Sequence, residues 1–201
     1  MDFYTFEREA FSAGYGRVCG VDEAGAGPLA GPVYAAAVIL PLGAEIDGLN
    51  DSKKLTEKRR EALLPVIQER ALAWAVAWVD AAEIDATDIL SARVRAMQLA
   101  IDKLSVRPDF ALIDGNRDRG RSAAITLEHR CIVKGDSLSA SVAAASVLAK
   151  VSRDRFMVEM AERYPEYRFD RHKGYGTALH YQLLRTYGPS PIHRRTFLKN
   201  L

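Results

Sequence analysis

The chain has 201 residues, of which 48% are hydrophobic and 27% are charged, and its formal net charge is +2 at pH 7. This length predicts a single domain that can bury a sizeable core without cross-links. Its only two cysteines, Cys19 and Cys131, are far apart and lack metal-ligand spacing, which argues against a disulfide framework and fits a reducing compartment. We expect both thiols to lie in the core.

Two features of the N-terminal part bear on targeting. The first residues lack the basic start and the apolar stretch of a secretory signal, so nothing in them directs export. Residues 24–44 carry no charge, but their glycines and prolines exclude a membrane-spanning helix. We therefore expect a cytoplasmic protein without membrane contact.

The first half of the chain alternates strand and helix patterns. Residues 18–21 and 33–40 are apolar runs typical of strands, and a loop rich in glycine and proline separates them. A helical stretch is predicted from Thr56 to about residue 70, although Pro65 is irregular in it. Residues 74–79 alternate alanine with larger side chains, which indicates another strand.

The second half continues this alternation. Strands are predicted at residues 110–113, at Ile125 and at 131–133, and helices at 137–160 and near 178–187. Because residues 138–149 carry no charge, the first of these helices should be buried on all sides. Thr87 can cap an earlier helix whose apolar residues follow the 3.6-residue period: Leu90, Val94, Met97, Ile101 and Leu104. The pattern predicts an α/β fold with a mixed sheet and helices on both faces.

Acidic residues follow the predicted strands at three places. Asp22 and Glu23 end the first apolar run beside the glycine-rich loop, Asp114 ends another, and Asp136 precedes the long helix. Four carboxylates at one spot would raise each other's pKa values, and bound cations would resolve this repulsion. Oxygen ligands without a His or Cys cluster favour Mg²⁺ or Mn²⁺ over Zn²⁺. The alternative is that each acid is a turn residue or a helix cap, as Asp136 could be.

The glycines after Glu23 can bring backbone amides close to a phosphate. A dinucleotide-binding loop would look broadly similar, but here Pro28 interrupts the glycine spacing and two acids precede the loop. A nucleotide-dependent oxidoreductase is therefore the weaker interpretation. A tight turn without a binding role is the structural alternative.

Basic residues suited to phosphate occur in two regions. Lys53 and Lys54 are adjacent and precede a predicted helix, although surface lysines are common. Residues 171–201 contain six basic residues, including Lys173 and Arg194, and no acidic one. This segment also holds aromatic and imidazole rings, a mixture that suits nucleic acid, while a solvated basic end is the alternative. The rings are Tyr175, Tyr181, Tyr187, His172, His180 and His193.

Motifs along nearly the whole chain resemble bacterial ribonuclease HII. They occur in this order: Asp22-Glu-Ala-Gly-x-Gly-Pro-Leu, Asn50-Asp-Ser-Lys-Lys-Leu, Leu112-Ile-Asp-Gly-Asn, Lys134-Gly-Asp, Ala143-Ala-Ala-Ser-Val-Leu-Ala-Lys-Val-Ser-Arg-Asp, His172-Lys-Gly-Tyr-Gly-Thr and His193-Arg-Arg-Thr-Phe. The resemblance implies an α/β fold of the RNase H-like type, with a central five-stranded mixed sheet flanked by helices. It implies one catalytic domain over residues 1–201, with a basic substrate-binding segment at about 171–201, and we expect a monomer.

The resemblance also implies a substrate and a reaction. The expected activity is endonucleolytic cleavage of the RNA strand in RNA–DNA hybrids and incision 5′ of ribonucleotides embedded in duplex DNA, leaving 5′-phosphate and 3′-hydroxyl ends. We expect Asp22 to bridge two Mg²⁺ or Mn²⁺ ions, Glu23 and Asp136 to complete their shells and Asp114 to anchor the second ion. A catalytically idle nucleic-acid-binding module is the alternative from a different class.

Substrate contacts are expected from two groups of residues. The resemblance implies that Gly25, Ala26 and Gly27 sense the ribose 2′-hydroxyl and the junction phosphate, and that Tyr175 stacks on the following deoxyribose. Further phosphate contacts are expected from Lys53, Lys54, Lys173 and Arg194. One departure stands out, because the family loop usually reads Gly-Arg-Gly and this chain has Ala26 in the middle.

Overall fold

One mixed sheet organises the chain in the computed structural model, which describes residues 2–199. Its strands are β1 (Val18–Ala24), β2 (Val33–Ile39), β3 (Ala73–Val79), β4 (Phe110–Asp114) and β5 (His129–Ile132). The helices are α1 (Thr5–Ser12), α2 (Glu57–Arg70), α3 (Ala81–Ala86), α4 (Ile89–Asp102), α5 (Ala140–Arg163), α6 (Phe169–His172) and α7 (Ala178–Tyr187). The predicted class, an α/β fold with a five-stranded mixed sheet, is confirmed.

The strand order β3-β2-β1-β4-β5 positions the acidic residues. β2 is antiparallel to both β1 and β3, whereas β4 is parallel to β1 and β5 is parallel to β4. The carboxyl ends of β1, β4 and β5 therefore meet at one edge of the sheet. Residues that follow these strands come together there although they lie far apart in sequence.

Helices cover both faces of the sheet. Met97 and Ile101 of α4 pack with Val21 and Ile113 on one face. On the other face α5 packs with α2 and with alternate residues of β2, and residues 140–149 of α5 are all buried, as predicted. Gly20 permits this packing, because a Cβ atom there would lie 2.1 Å from the carbonyl carbon of Ser141. No helix in residues 2–199 combines the length and the apolar character needed to cross a membrane.

Pro65 lies inside α2, which spans the predicted stretch. The helix begins after Thr56, whose hydroxyl oxygen accepts the amide of Arg59 at 3.3 Å. Pro65 is exposed, so the turn in which it removes a backbone hydrogen bond lies on the solvent side. The helix therefore continues through it.

The predicted cap at Thr87 is wrong. Thr87 ends the short helix α3, which was not predicted, and its hydroxyl donates to the carbonyl of Glu83 at 2.7 Å. Asp88 caps α4 instead, because its Oδ1 accepts the amide of Ser91 at 2.9 Å. Because Thr87 and the adjacent Asp88 can both cap a helix, the sequence alone does not reveal the break between α3 and α4.

Other predictions also need correction. Ile125 lies outside the strands, because its amide donates to the carbonyl of Asp118 within a loop. Asp136 does not cap the long helix, since a 3₁₀ turn (Gly135–Ser137) contains it and Ser139 caps α5. Cys19 is fully buried as expected, but Cys131 is partly exposed because β5 is an edge strand. The helices α1 and α6 were not predicted.

Candidate active site

Three of the four predicted acids converge at the shared edge of β1, β4 and β5. Carboxylate oxygens of Asp22, Asp114 and Asp136 all lie within 4.8 Å of one another. The Asp136 amide approaches Asp114 Oδ1 at 3.4 Å, which holds the 3₁₀ turn against β4. Asp22 and Asp136 are only 3% and 4% exposed, so their carboxylates are largely withdrawn from water. Their role as metal ligands stays a prediction.

Glu23 lies beside this cluster and not within it. Successive residues of a strand point to opposite faces, and Glu23 meets α4, where Arg93 Nη2 lies 2.5 Å from its Oε1. Its other oxygen, Oε2, is buried and has no hydrogen-bond partner in the described part of the chain. A buried carboxylate oxygen without a donor is costly, so Glu23 keeps one ligand atom available.

The electrostatics of the site favour a bound cation. Burial raises the pKa of Asp22 well above its ordinary value, and the charges of Glu23 and Asp114 raise it further. Burial also raises the pKa values of Glu23 and Asp114, with Arg93 acting in the opposite direction on Glu23 and Asp136 adding to the effect on Asp114. Hard, negatively charged oxygen donors are what Mg²⁺ and Mn²⁺ require, so the donor set fits a divalent metal.

The two adjacent lysines flank this cluster. Lys53 Nζ lies 3.1 Å from Asp136 Oδ2, and Lys54 Nζ donates to Ser137 Oγ at 2.9 Å. Partial burial opposes the charge of Lys53, but its hydrogen bond to Asp136 and the neighbouring carboxylates raise its pKa above the usual range. Because 72% of its side chain is exposed, Lys53 can also face an incoming phosphate.

A cavity of about 290 Å³ opens over Asp114 and Asp136, and several of its lining residues were missed by sequence reasoning. Lys134 stands in the Lys-Gly-Asp motif and has a left-handed backbone, with φ of 60°. The sequence motif predicted only its aspartate as a site residue. Asp51 accepts a hydrogen bond from the Lys53 amide, and it was not predicted as a site residue although the two lysines were. No sequence signal connects Arg93 to Glu23, because that pairing depends on how α4 packs.

The loop of residues 25–27 has a supported backbone and a free outer side. Gly25 has φ of +95°, and a Cβ atom there would lie 2.0 Å from Arg153 Nε, so glycine is required. Ala26 is partly exposed and Gly27 is exposed. Within residues 2–199 no protein acceptor receives the amide hydrogens of Ala26 and Gly27. These amides are available to an anionic ligand.

Arg194 supports this loop from beneath. Its Nε, Nη1 and Nη2 donate to the carbonyls of Gly31, Ala26 and Gly25 at 2.9, 2.9 and 2.6 Å. The side chain is fully buried and no carboxylate in the described residues pairs with it. The guanidinium donors of Arg194 are thus committed to backbone carbonyls, and contact between Arg194 and substrate stays a prediction.

Arg153 joins the glycine loop to the turn that carries Tyr175. Its Nε and Nη2 donate to the carbonyls of Pro32 and Ala30, each at 3.1 Å, and its Nη1 donates to that of Lys173 at 3.0 Å. The amide of Leu29 also donates to Gly174 at 2.8 Å. These bonds make the glycine loop and the Tyr175 turn one supported unit.

Tyr175 is 42% exposed, so its ring is accessible to the sugar on which it is predicted to stack. Its ring centroid lies 5.6 Å from the Arg153 guanidinium and 5.8 Å from Lys150 Nζ. Lys173 is less available, because its side chain is only 16% exposed and its ammonium donates to the carbonyl of Asp170 at 2.6 Å. The structure therefore does not support Lys173 as a free substrate contact.

The histidines of the basic segment are core residues. His172, His180 and His193 are 7%, 0% and 2% exposed, so the expectation that they contribute to a nucleic-acid surface is wrong. Their rings hydrogen-bond to backbone and to each other behind the Tyr175 turn. The exposed rings of this segment are the tyrosines.

Comparison with known proteins identifies the family of this site. A family model described as Ribonuclease HII matches residues 19–200. The chain belongs to the ribonuclease HII family. Ribonuclease HII of Caldicellulosiruptor bescii is 48% identical over 200 residues, a match that covers 100% of this chain to the nearest per cent and 95% of that protein. Ribonuclease HII of Dechloromonas aromatica is 54% identical over 182 residues, 90% of this chain and 91% of that protein.

Solved structures agree with this assignment to ribonuclease HII. Ribonuclease H2 from Pyrococcus horikoshii superposes with a TM-score of 0.74 at 27% identity, covering 90% of this chain and 93% of that one. A chain from the PCNA:RNase HII complex of Archaeoglobus fulgidus gives a TM-score of 0.73 at 25% identity, covering 89% and 94%. The chain therefore has the RNase H-like fold and is a metal-dependent endoribonuclease.

Proposed function

We propose that this ribonuclease HII family member incises duplex DNA 5′ of embedded ribonucleotides, in addition to hydrolysing the RNA strand of RNA–DNA hybrids. The products would carry 5′-phosphate and 3′-hydroxyl ends. The observation that carries the proposal is the placement of Asp22, Asp114 and Asp136 at one sheet edge, with the supported loop of residues 25–27 continuing directly from β1.

The metal-binding part of the proposal uses all four acids. Asp22, Asp114 and Asp136 would hold Mg²⁺ or Mn²⁺, two ions in all, and Glu23 would contribute its unpartnered Oε2. When bound, such ions activate a water as nucleophile and stabilise the departing oxygen of a phosphodiester. Lys53, which already lies against Asp136, would offset phosphate charge beside the acids.

Ribose recognition would come from the backbone of residues 25–27. Free amides at Ala26 and Gly27 can bind a phosphate or a ribose oxygen, and the 2′-hydroxyl distinguishes RNA from DNA. Arg194 and Arg153 would keep this backbone in place without contacting the substrate. The exposed ring of Tyr175 would stack on the sugar that follows the junction.

We also propose that the chain acts as one catalytic domain. The segment from residue 171 would contribute through its exposed part, chiefly Tyr175, while its buried histidines and Arg194 support the loops. A monomeric state and a cytoplasmic location stay predictions.

One cleavage experiment tests the activity. Purified protein is incubated with a duplex bearing one ribonucleotide, a long RNA–DNA hybrid and an all-DNA duplex of the same sequence, with Mg²⁺, with Mn²⁺ and with chelator. We expect cuts on the 5′ side of the ribonucleotide and in the RNA strand, only with metal and never in all-DNA duplex. Binding without cleavage in every metal would favour the non-catalytic module.

A further inference from the structure

A loop rich in arginine follows β4, the strand that ends at Asp114 of the acidic cluster. Residues 116–122, here called the arginine loop, contain Arg117, Arg119 and Arg121, and all three are exposed. None of them forms an ion pair with a carboxylate in the described residues. The surface that follows β4 therefore carries three cations without an ion-pair partner among residues 2–199.

The arginine loop is anchored to the body of the protein. Gly120 lies so close to α4 that a Cβ atom would be 2.5 Å from the Cα of Ser91, and the amide of Ser122 donates to Ser91 Oγ at 3.2 Å. On its other side Asp118 Oδ2 is 2.9 Å from His129 Nε2. These contacts form when the protein folds, so a ligand that binds the loop loses little affinity to the entropy of ordering it.

The acids near the loop are already engaged. Asp118 pairs with His129, and Asp88 accepts hydrogen bonds from both the amide and the hydroxyl of Ser91. The carboxylate of Glu128 accepts the hydroxyl of Tyr15. Because these groups have partners, the positive charge of the loop is open to an external anion.

Chain geometry limits how far the loop can lie from the acids. Consecutive Cα atoms are about 3.8 Å apart, so the Cα of Arg117 lies within about 11 Å of that of Asp114 and the Cα of Arg121 within about 27 Å. A duplex carries one phosphate about every 3.4 Å along each strand. The Cα atoms of these arginines therefore lie no farther than about three to eight phosphate spacings from that of Asp114, within reach of the same duplex.

We propose that the arginine loop binds the phosphate backbone of the duplex substrate several nucleotides from the scissile bond. The proposal rests on the proposed function only in taking a duplex nucleic acid as the ligand. Guanidinium groups bind phosphates through paired, charge-assisted hydrogen bonds, and such contacts carry no base information. The loop would therefore strengthen binding of hybrids and of ribonucleotide-containing DNA alike.

The test replaces all three arginines by glutamine in the full chain. Binding to a fluorescent duplex with one ribonucleotide is measured in chelator, where cleavage is suppressed, over a series of KCl concentrations. Each phosphate contact contributes about 0.9 to the slope of log K against log salt. We expect the slope of the triple variant to fall by about 2–3 and its affinity at low salt to fall at least tenfold.

A matched triple variant controls for net charge. Arg70, Arg107 and Arg163 are exposed, form no ion pair among the described residues, and lie at the end of α2, before β4 and at the end of α5. Their replacement by glutamine removes the same charge and should change the slope by less than about one. An equal fall in both triple variants, or an unchanged slope in the loop variant, overturns the proposal.

Trimming the duplex locates the contact. The loop variant should lose its defect when the duplex is shortened to a few base pairs on one side of the ribonucleotide, and keep it when the other side is shortened. A loss of binding that is the same with both shortened duplexes also contradicts the proposal. If the triple variant unfolds, Arg119→Gln and the charge-retaining Arg119→Lys replace it, and only the former should lower the slope.

Binding and cleavage separate this proposal from the proposed function. Wild-type protein that binds with the loop-dependent slope but cleaves nothing would contradict the proposed function alone. Wild-type protein that cleaves at ribonucleotides while the loop variant keeps its salt slope would contradict the loop proposal alone.

Discussion

At the residue scale, Asp22 is a buried acid whose surroundings disfavour its charged form. It is 3% exposed and lies near the charges of Glu23 and Asp114, so its carboxylate is held in place at a cost to the metal-free fold. A bound cation would remove this cost, so a change of Asp22 should have opposite effects on activity and on the stability of the metal-free protein.

Asp22→Asn should abolish cleavage and stabilise the metal-free protein. Loss of a group that only hydrogen-bonds to a metal ligand typically lowers metal affinity or activity 10–100-fold. Loss of a ligand itself should therefore lower kcat more than about 100-fold. Because the folded pKa of Asp22 is raised, its stabilising contribution is present at low pH and lost as pH rises through that pKa. Asparagine stays neutral, so the unfolding temperature in chelator at pH 7 should rise.

The control for Asp22→Asn is Asp47→Asn. Asp47 is exposed in the loop before α2, and its change should leave both rate and unfolding temperature as in wild type. Near-normal cleavage by Asp22→Asn would refute the site assignment. A lower unfolding temperature in chelator would contradict the electrostatic reason given for it.

Ala26 is the position where the chain departs from the usual arginine of its family. Its side chain is partly exposed while its carbonyl is held by Arg194, so a longer side chain can extend outward without disturbing the loop. A charge-assisted phosphate hydrogen bond contributes about 1.5–3 kcal/mol. We expect Ala26→Arg to lower KM for a ribonucleotide-containing duplex about tenfold or more. Ala26→Gln, which adds length without charge, should have little effect, and equal gains in both variants would exclude the charge as the cause.

At the element scale, the glycine loop depends on a residue that comes more than 160 positions later. Arg194 donates to three loop carbonyls, and a lysine ammonium cannot reproduce that fork. Each buried carbonyl left without its donor costs about 1–3 kcal/mol. Arg194→Lys should therefore lower the unfolding temperature by about 2–4 °C per kcal/mol lost. It should also raise KM for the ribonucleotide duplex, although the positive charge is kept.

Arg195→Lys is the adjacent control for the Arg194 variant. Arg195 is exposed, and its amide, not its side chain, contacts Asp85 at 2.6 Å. Calorimetry and steady-state kinetics on both variants should show a defect only at Arg194. Equal defects at the two positions would mean that basic charge in this segment matters more than loop support.

The buried histidines form a second support behind the Tyr175 turn. His180 Nδ1 faces the carbonyl of Tyr175 at 2.9 Å and must donate to it, so a neutral His180 accepts from His193 at Nε2. His193 Nδ1 then accepts the amide of Ser190 at 2.9 Å. These hydrogen bonds give each ring nitrogen of the pair a donor or an acceptor role only when both rings are neutral. This agrees with burial, which lowers the pKa values of His180 and His193 to about 4.

This network predicts acid sensitivity in a defined window. A depressed folded pKa gives stability that is present above the unfolded value of about 6.5 and is lost as pH falls towards about 4. Each histidine should add up to about 1.4 kcal/mol per pH unit to the slope of unfolding free energy in that window. His180→Gln should remove the part of that slope that His180 contributes, measured by urea unfolding between pH 4.5 and 6.5. A variant slope equal to that of wild type would exclude His180 as a titrating group.

The sequence predicts some of these elements better than others for physical reasons. An apolar run followed by an acid is a local signal, so the strand ends at Asp22 and Asp114 could be found without a structure. Burial of a charged or polar side chain depends on distant packing, which is why Arg194 and the histidines were expected on the surface. The pairing of Glu23 with Arg93 was equally hidden, because it depends on strand alternation and on the position of α4.

At the scale of the whole molecule, the candidate metal site joins parts of the chain that are far apart in sequence. Asp22 belongs to β1, Asp114 to β4 and Asp136 to the turn after β5, so the parallel half of the sheet assembles the site. The carboxylates repel one another until a cation binds. Metal binding should therefore stabilise the whole fold and not only a local loop.

A divalent ion should accordingly raise the unfolding temperature of the wild-type protein. A ligand at 100 times its Kd adds about 2.7 kcal/mol to the stability of the folded state. For a domain of this size that corresponds to about 5–10 °C. Calorimetry with Mg²⁺ or Mn²⁺, against NaCl of equal ionic strength, should show this rise in wild type and little of it in Asp22→Asn. Because that variant starts more stable in chelator, its curve should cross that of wild type as metal is added. Parallel curves would mean that Asp22 is not among the ligands, since an ion bound elsewhere stabilises both proteins equally.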